Sequence, residues 1–360
     1  MKITDVEAIP LKQGPILVRV HTDQGVTGIG EASNRNWMVI KPFIEEILKP
    51  IVVGKDPRRT NQLWEDMFFA TSRLGPMGIQ TTSVGAIDLA CWDIFGKSVG
   101  MPLYDLLGGA ARNRLKLYWS TGLGWDMEPG EMLYLVKEGY DLGFKAFKIR
   151  MDWGAHRQDA NPEKDFQMFK LCREFLPADV YLGFDANNGY SVGTAIRQGK
   201  RFQDLGIDHF EEPLPQYDYL GLKQVVDALD VPVSSGEQEH TRLKFRDLIL
   251  TGDPDILQPD VVNAGGISEV RKIYTLAETF NKPVMPHCPS AGIACAASLH
   301  LYATVTNAVR PHEFSYQFSG PREDLGALFE EPLVPEDGYM TLPDRPGLGL
   351  EISEAGLSRL

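Results

Sequence analysis

This sequence predicts an α/β fold: a barrel of consecutive strand-helix units behind a smaller N-terminal part of mixed α and β structure. Three carboxylates, Asp185, Glu211 and Glu237, stand at an even step along the chain (211 − 185 = 26; 237 − 211 = 26), each closing a short apolar run. A step of 26 holds one strand, one helix and two short loops, so its repetition implies βα units around a parallel sheet. The 360 residues leave room for a barrel of about 250 residues and a second domain of about 100.

The N-terminal part carries two β-rich runs, Ile16 to Val20 and Val26 to Glu31. They are joined through Thr22-Asp23-Gln24-Gly25, and turn residues between such arms predict an antiparallel meander. Helical periodicity follows from Lys41 to Leu48, from Thr60 to Phe69 and from Ser83 to Ser98. In the last of these Val84, Ile87, Cys91, Ile94 and Phe95 share one face, a stripe that reads as core packing, and Gly100 and Pro102 punctuate its end. Leu115 to Ser120 is the first barrel strand. The others follow at barrel-like intervals: Ala146 to Arg150, the three carboxylate runs (Val180 to Asp185, Ile207 to Glu211, Val231 to Glu237), Asp255 to Asp260, Pro283 to His287 and Arg310 to Phe314, eight in all. Helix candidates between them are Asp165 to Glu174, Val192 to Leu205, Tyr219 to Leu229, Leu243 to Leu250 and Glu269 to Phe280. After Leu325 the chain turns rich in Pro and Gly, which predicts a tail packed back over other elements. The expected divisions are an N-terminal domain over 1–114, the barrel over 115–324 and a C-terminal segment over 325–360 that returns to the N-terminal domain.

Composition narrows the classes of function. Hydrophobic content of 43% and charged content of 24% are those of a globular protein. No apolar stretch reaches the roughly 18 residues of a membrane span, and the opening MKITDVEAIP lacks an apolar signal core, so a cytoplasmic protein is expected. Cys91, Cys172, Cys288 and Cys295 lack paired metal-type spacing and read as reduced thiols. A net charge of −13 without a basic run argues against nucleic acid, so an anionic substrate must be drawn in by local cations or a metal.

Residues at the C-terminal ends of successive barrel strands converge on one face. Gathered there, Asp185, Glu211 and Glu237 offer three hard oxygen ligands suited to Mg²⁺, with positions left for water and substrate; chance placement of acids at strand ends is the plainer alternative for any one of them. Two further strand ends carry Asp260 and His287. An Asp that holds one ring nitrogen fixes the tautomer and raises the basicity of the other, which makes His287 a candidate general base. In Phe147-Lys148-Ile149-Arg150, alternation points Lys148 and Arg150 to the same side. Facing inward, Lys148 could stabilise developing charge or exchange a proton, whereas guanidinium keeps its proton; both could instead neutralise buried carboxylates. Glu313 could donate to a substrate oxyanion if kept protonated, or serve as a structural partner to a cation, and His312 should face away and pack.

Short markers run in order along the chain: Gly30-Glu31-Ala32, Ala86-Ile87-Asp88-Leu89-Ala90-Cys91-Trp92-Asp93, Leu106-Leu107-Gly108-Gly109, Lys148-Ile149-Arg150, Phe184-Asp185-Ala186-Asn187, Glu211-Glu212-Pro213, Ser235-Gly236-Glu237, Gln258-Pro259-Asp260, His287 and Glu313. Together they resemble the enolase superfamily in its mandelate racemase-like branch, over nearly the whole chain. The resemblance implies a modified (β/α)7β TIM-type barrel with an α+β N-terminal capping domain, and Mg²⁺ on Asp185, Glu211 and Glu237. It also implies a His287–Asp260 dyad, Lys148 beside the substrate carboxylate and Glu313 on the enediolate oxygen. Asn187, Gln238 and His240, near the ligands in sequence, either touch sugar hydroxyls or orient the ligands. The Lys12-Gln13-Gly14 loop and the 69–78 segment with Arg73 fall in the capping domain, where the resemblance places substrate specificity.

One departure matters. Racemases of this branch carry a second lysine where this chain has Arg150, and racemisation needs a base on each face of the α-carbon. With His287 as the evident base, dehydration of a sugar acid to a 2-keto-3-deoxy acid fits better. Cycloisomerisation, epimerisation or racemisation of a related hydroxy acid is the alternative, and a decayed metal-dependent binding protein the non-enzyme one. The expected partner is a small-molecule carboxylate, with neither nucleic acid nor membrane involved, and the expected assembly is a homo-oligomer.

Overall fold

In the computed structural model, which describes residues 1–12, 15–33, 36–317 and 328–357, the chain opens with an antiparallel sheet of order β1-β2-β3. Its strands are β1 (Ile3–Pro10), β2 (Ile16–Thr22) and β3 (Thr27–Ala32). The meander is the expected one, with an added strand β1 whose pattern is broken by a register shift between Ile3 and Asp5. Its buried residues Ile3, Val6 and Ala8 therefore lose the strict period of two by which a strand is recognised.

The sheet lies on the helix Ile79–Val99, and glycine makes that approach possible. A Cβ at Gly30 would come within 1.9 Å of the Ala86 carbonyl oxygen, and one at Gly28 within 2.1 Å of the Ala90 oxygen. The helix also packs on barrel helix Ile267–Thr279. It is buried almost all round, so the apolar stripe read from the sequence is only part of its contact surface. Its polar residues are spent on tying parts together. Asp88 accepts the Ser268 amide at 2.8 Å and the Ser268 hydroxyl at 2.6 Å, and Trp92 Nε1 donates to the same hydroxyl oxygen at 2.9 Å. Asp93 accepts the amides of Ile29 in β3 and Leu348 in the tail. Gly100, in the left-handed region at φ 70, ends the helix where the sequence placed its stop.

The barrel strands are β4 (Arg114–Thr121), β5 (Ala146–Arg150), β6 (Tyr181–Asp185), β7 (Phe210–Glu211), β8 (Val233–Ser235), β9 (Ile256–Leu257) and β10 (His312–Phe314), running parallel in the order β10-β4-β5-β6-β7-β8-β9. The expected strand from Pro283 to His287 is reduced to two parallel bridges, Leu257 to Val284 and Asp260 to His287. Pro283, Pro286 and Pro289 have no N–H to donate, so a continuous ladder cannot form there. Between this segment and β10, the Tyr302 hydroxyl is shared by the carbonyls of Val284 (3.1 Å) and Arg310 (2.6 Å). The architecture is the anticipated α/β one. Helices Pro129–Asp141 and Ile293–Thr304, which were not among the candidates from the sequence, fill two further intervals between the strands.

Leu325, where the tail was expected to begin, lies outside the described residues. Further on, β11 (Tyr339–Thr341) adds antiparallel to β4, Leu103 donates to the Gly347 carbonyl at 2.8 Å, and Glu354 pairs with Arg19 of β2 at 2.6 Å. The tail thus touches barrel and N-terminal sheet alike. All four cysteines are buried and free. Among the described residues no helix is long and apolar enough to cross a membrane.

Candidate active site

Parallel register places the acids side by side. Asp185 ends β6 opposite Arg150, Glu211 ends β7 opposite Asp185, and Glu237 lies just past β8. One carboxylate oxygen from each of the three falls within 4.8 Å of the others. Asp185 is fixed by the Asn187 amide at 2.7 Å and the Asn187 side chain at 2.9 Å, a local turn made with Asn187 at φ 44. Glu211 accepts from Gln258 Nε2 at 2.7 Å and Lys148 Nζ at 2.5 Å. Lys148 is fully buried and also lies 3.0 Å from Glu313 and 3.6 Å from Asp185.

The charge balance of this cluster points to a cation. Burial, then Glu211, pushes the Asp185 carboxyl well above its ordinary pKa, with Lys148 opposing; burial foremost also raises Glu237. The Glu237 Oε2 atom is buried and makes no hydrogen bond. Three hard oxygen donors, mutually repelling and with one orphaned, fit a divalent ion.

Beside Glu237 stands His287, whose Nε2 lies 3.2 Å from Glu237 Oε2 without hydrogen-bond alignment, and whose Nδ1 is 2.7 Å from Asp260 Oδ2. The other Asp260 oxygen accepts the amides of Val262 (2.7 Å) and Asn263 (2.8 Å), so the carboxylate cannot swing away. Burial disfavours the imidazolium, but Glu237, Glu313 and the bond to Asp260 together raise the His287 pKa to about 10. Glu313 is buried too, yet Lys148 and then His287 hold its pKa down at about 2, and it accepts the Cys288 amide at 2.6 Å. Of the two readings of Glu313, the partner to a cation is the one this geometry displays. His312 turns the other way, to the Ser298 hydroxyl at 2.8 Å.

A cavity of about 690 Å³ opens over these residues, lined by Arg150, Asn187, Glu237, Gln238, Asp260 and His287 among others. Arg150 Nε donates to the Gly122 carbonyl at 2.8 Å. Asn187 orients Asp185, as above, and Gln238 donates to Glu212 at 2.8 Å. His240 does not line the cavity: its Nδ1 lies 2.8 Å from Thr81 Oγ1 and 2.9 Å from the Asn263 carbonyl, joining the start of helix Ile79–Val99 to the loop after β9. Arg73 is exposed in the short turn Ser72–Leu74 and does not line the cavity. Of the Lys12-Gln13-Gly14 loop, Gln13 and Gly14 lie outside the described residues.

Two buried acids gained no role from the sequence. Glu212, at φ 39, accepts from Asn188 and Gln238, and burial followed by Glu237 and Asp185 raises its pKa well above the usual range. Glu31 reaches the cavity from β3 and accepts the Ala294 amide at 2.9 Å; burial lifts its pKa to about 7 against the pull of that amide. Both sit in motifs noticed as markers, Glu211-Glu212-Pro213 and Gly30-Glu31-Ala32.

The chain is similar to known proteins over nearly its whole length. Residues 131–356 match the family described as enolase C-terminal domain-like, and residues 9–108 match the mandelate racemase/muconate lactonizing enzyme N-terminal domain. An arabinonate dehydratase of Saccharolobus solfataricus is 34% identical over 348 residues, covering 94% of this chain and 88% of that protein. A D-galactarolactone cycloisomerase of Agrobacterium fabrum is 32% identical over 356 residues, covering 96% and 91%. A mandelate racemase/muconate lactonizing protein from Paracoccus denitrificans, solved in complex with magnesium, superposes with a TM-score of 0.94 at 35% identity, covering 99% of this chain and 96% of that one. The chain belongs to the mandelate racemase/muconate lactonizing branch of the enolase superfamily.

Proposed function

We propose that this enzyme takes the proton α to the carboxylate of a sugar acid and expels the β-hydroxyl, yielding a 2-keto-3-deoxy acid. The observation that carries the reading is the imidazole of His287, backed by Asp260 at 2.7 Å and standing at the cavity wall beside Glu237 of the carboxylate triad. Asp185, Glu211 and Glu237 would hold Mg²⁺, which when bound supplies the positive charge that lowers the cost of a second negative charge on the substrate carboxylate.

The residues of the chain divide the remaining work. A cation on Glu237 would cancel the first of the charges that raise the His287 pKa and free Nε2 of its proton, and Asp260 fixes the tautomer so that Nε2 is the atom that accepts the α-proton. The resulting imidazolium can return that proton to the departing hydroxyl, which leaves as water. Lys148, held positive by Glu211 and Glu313, faces the substrate carboxylate. An anion that draws Lys148 off Glu313 removes the largest influence holding that carboxyl ionised, so Glu313 can then donate to the oxyanion as charge develops. A guanidinium at position 150, in place of a lysine, supplies no second base, which favours elimination over inversion at the α-carbon.

A screen of acid sugars with Mg²⁺ for 2-keto acid formation tests this, together with solvent deuterium exchange at the α-carbon. Dehydratase relatives such as the arabinonate enzyme support formation of a 2-keto acid. The cycloisomerase relative favours a second outcome on the same base chemistry, a product of unchanged mass, which mass spectrometry separates from loss of water. Neither exchange nor product across the library would end the catalytic reading and leave a binding protein.

A further inference from the structure

Resting on the sugar-acid reading, the geometry points to Glu31 as a substrate-binding residue supplied by the N-terminal sheet, one that takes a hydroxyl of the polyol chain. Glu31 ends on β3, is 5% exposed, and lines the cavity together with its neighbours Ala32 and Ser33. Its Oε2 accepts the Ala294 amide at 2.9 Å. That amide belongs to the first turn of helix Ile293–Thr304, whose N-cap Gly292 has no side chain with which to cap it. A carboxylate from 263 residues away in sequence therefore does the capping. Space is kept for it: a Cβ on Gly292 would come within 3.3 Å of the same oxygen.

Capping uses one oxygen. The Ile293 amide also acts on this carboxyl, but no hydrogen bond among the described residues is formed at Oε1, which is left to the polar cavity that Glu31 lines. In that reading Lys148 and His287 serve the carboxylate end and the α-carbon, and their ion pairs among the described residues are with Asp185, Glu211, Glu313, Glu237 and Asp260. What remains to be recognised is the row of hydroxyls beyond C3. A hydroxyl both donates and accepts, so it can pair with this carboxyl in either protonation state. Because helix amides fix Oε2, Oε1 is pre-positioned, and a substrate lacking the matching hydroxyl leaves a buried acid unpaired.

The test is a cycle of two changes. Wild type and Glu31→Ala are assayed by kcat/KM on arabinonate, or on whichever acid sugar the library screen finds turned over, and on analogues each lacking one hydroxyl beyond C3. We expect Glu31→Ala to lower kcat/KM about 10- to 100-fold on the parent acid, the size of a hydrogen bond to a charged group, and less than about 3-fold on one analogue. An equal loss on every analogue, or no loss on the parent acid, overturns the assignment and leaves Glu31 as a helix cap only. If Glu31→Ala does not fold, Glu31→Gln keeps an oxygen for the Ala294 amide and is read by the same cycle. Wild-type α-proton exchange in D₂O is measured alongside. If it is absent, the sugar-acid reading itself has failed; if present with an unselective Glu31→Ala, only this inference has.

Discussion

The carboxylate of Asp260 holds Nδ1 of His287 at 2.7 Å while two backbone amides, from Val262 and Asn263, hold the carboxylate. Replacing Asp260 by Asn keeps the shape but no longer imposes the tautomer that leaves Nε2 basic. We expect Asp260→Asn and His287→Asn to lower kcat by about 10²- to 10⁴-fold, the usual worth of a positioned acid-base group. Magnesium titration calorimetry should show metal affinity retained in both. Unchanged turnover of His287→Asn would refute its role as base.

The crowded triad predicts a stability response to metal. With one carboxylate oxygen each of Asp185, Glu211 and Glu237 within 4.8 Å of the others, a divalent ion held there would favour the folded state and relieve their repulsion. Mg²⁺ at a hundred times its Kd should stabilise the fold by about 2.7 kcal/mol, seen as a rise in Tm that chelator reverses. Glu237→Gln should shrink that rise. An unaltered response in this variant would place the ion elsewhere.

Asp88 predicts a pH dependence. Burial raises its pKa from an ordinary 3.8 to about 7, opposed by its bonds to Ser268. A carboxyl whose folded pKa is raised binds more protons when folded, so its contribution is full below about pH 4 and is lost as pH climbs to about 7. Denaturant unfolding of wild type and Asp88→Asn across that window should show a shallower decline with pH in the variant. Parallel curves would show that Asp88 does not titrate there.

Two glycines should behave differently. Gly30→Ala drives a Cβ to within 1.9 Å of the Ala86 carbonyl, and should cost about 1–3 kcal/mol or more, or prevent folding. Gly25, at φ 75 with nothing within 4 Å, faces strain without a clash, and Gly25→Ala should cost about 1–2 kcal/mol. Chemical denaturation ranks them, and a reversed ranking would show the close approach of sheet and helix to be slack.

Arg73 should prove dispensable. It is exposed and away from the cavity, so Arg73→Ala is expected to leave kcat/KM within about 2-fold and stability within about 0.5 kcal/mol. A larger loss in steady-state kinetics would place it against substrate.

What could be read directly from the sequence was what repeats. The triad, Asp260 and His287 stood out because each ends a strand in the same register, and strand ends of a barrel share a face. Lys148 and Arg150 followed from alternation along one strand. His240 was chosen by its nearness in sequence to Glu237, but three residues on the chain has already turned, and its ring meets Thr81. Glu31 could not be assigned because its partner, Ala294, is remote in sequence and offers only a backbone amide. β1 hid behind its register shift, and the Pro283 to His287 segment looked like a strand because apolar patterning does not count missing donors.

The helix Ile79–Val99 has no wet side, and that limits how the molecule can be taken apart. The cover over the cavity and the wall of the barrel are glued to opposite flanks of the same rod, through Gly28 and Gly30 on one and Asp88 and Ser268 on the other. Exchanging lids between relatives therefore means transplanting the rod with its glycines and its serine socket together; a chimera cut between them would expose an oily cylinder to solvent and precipitate.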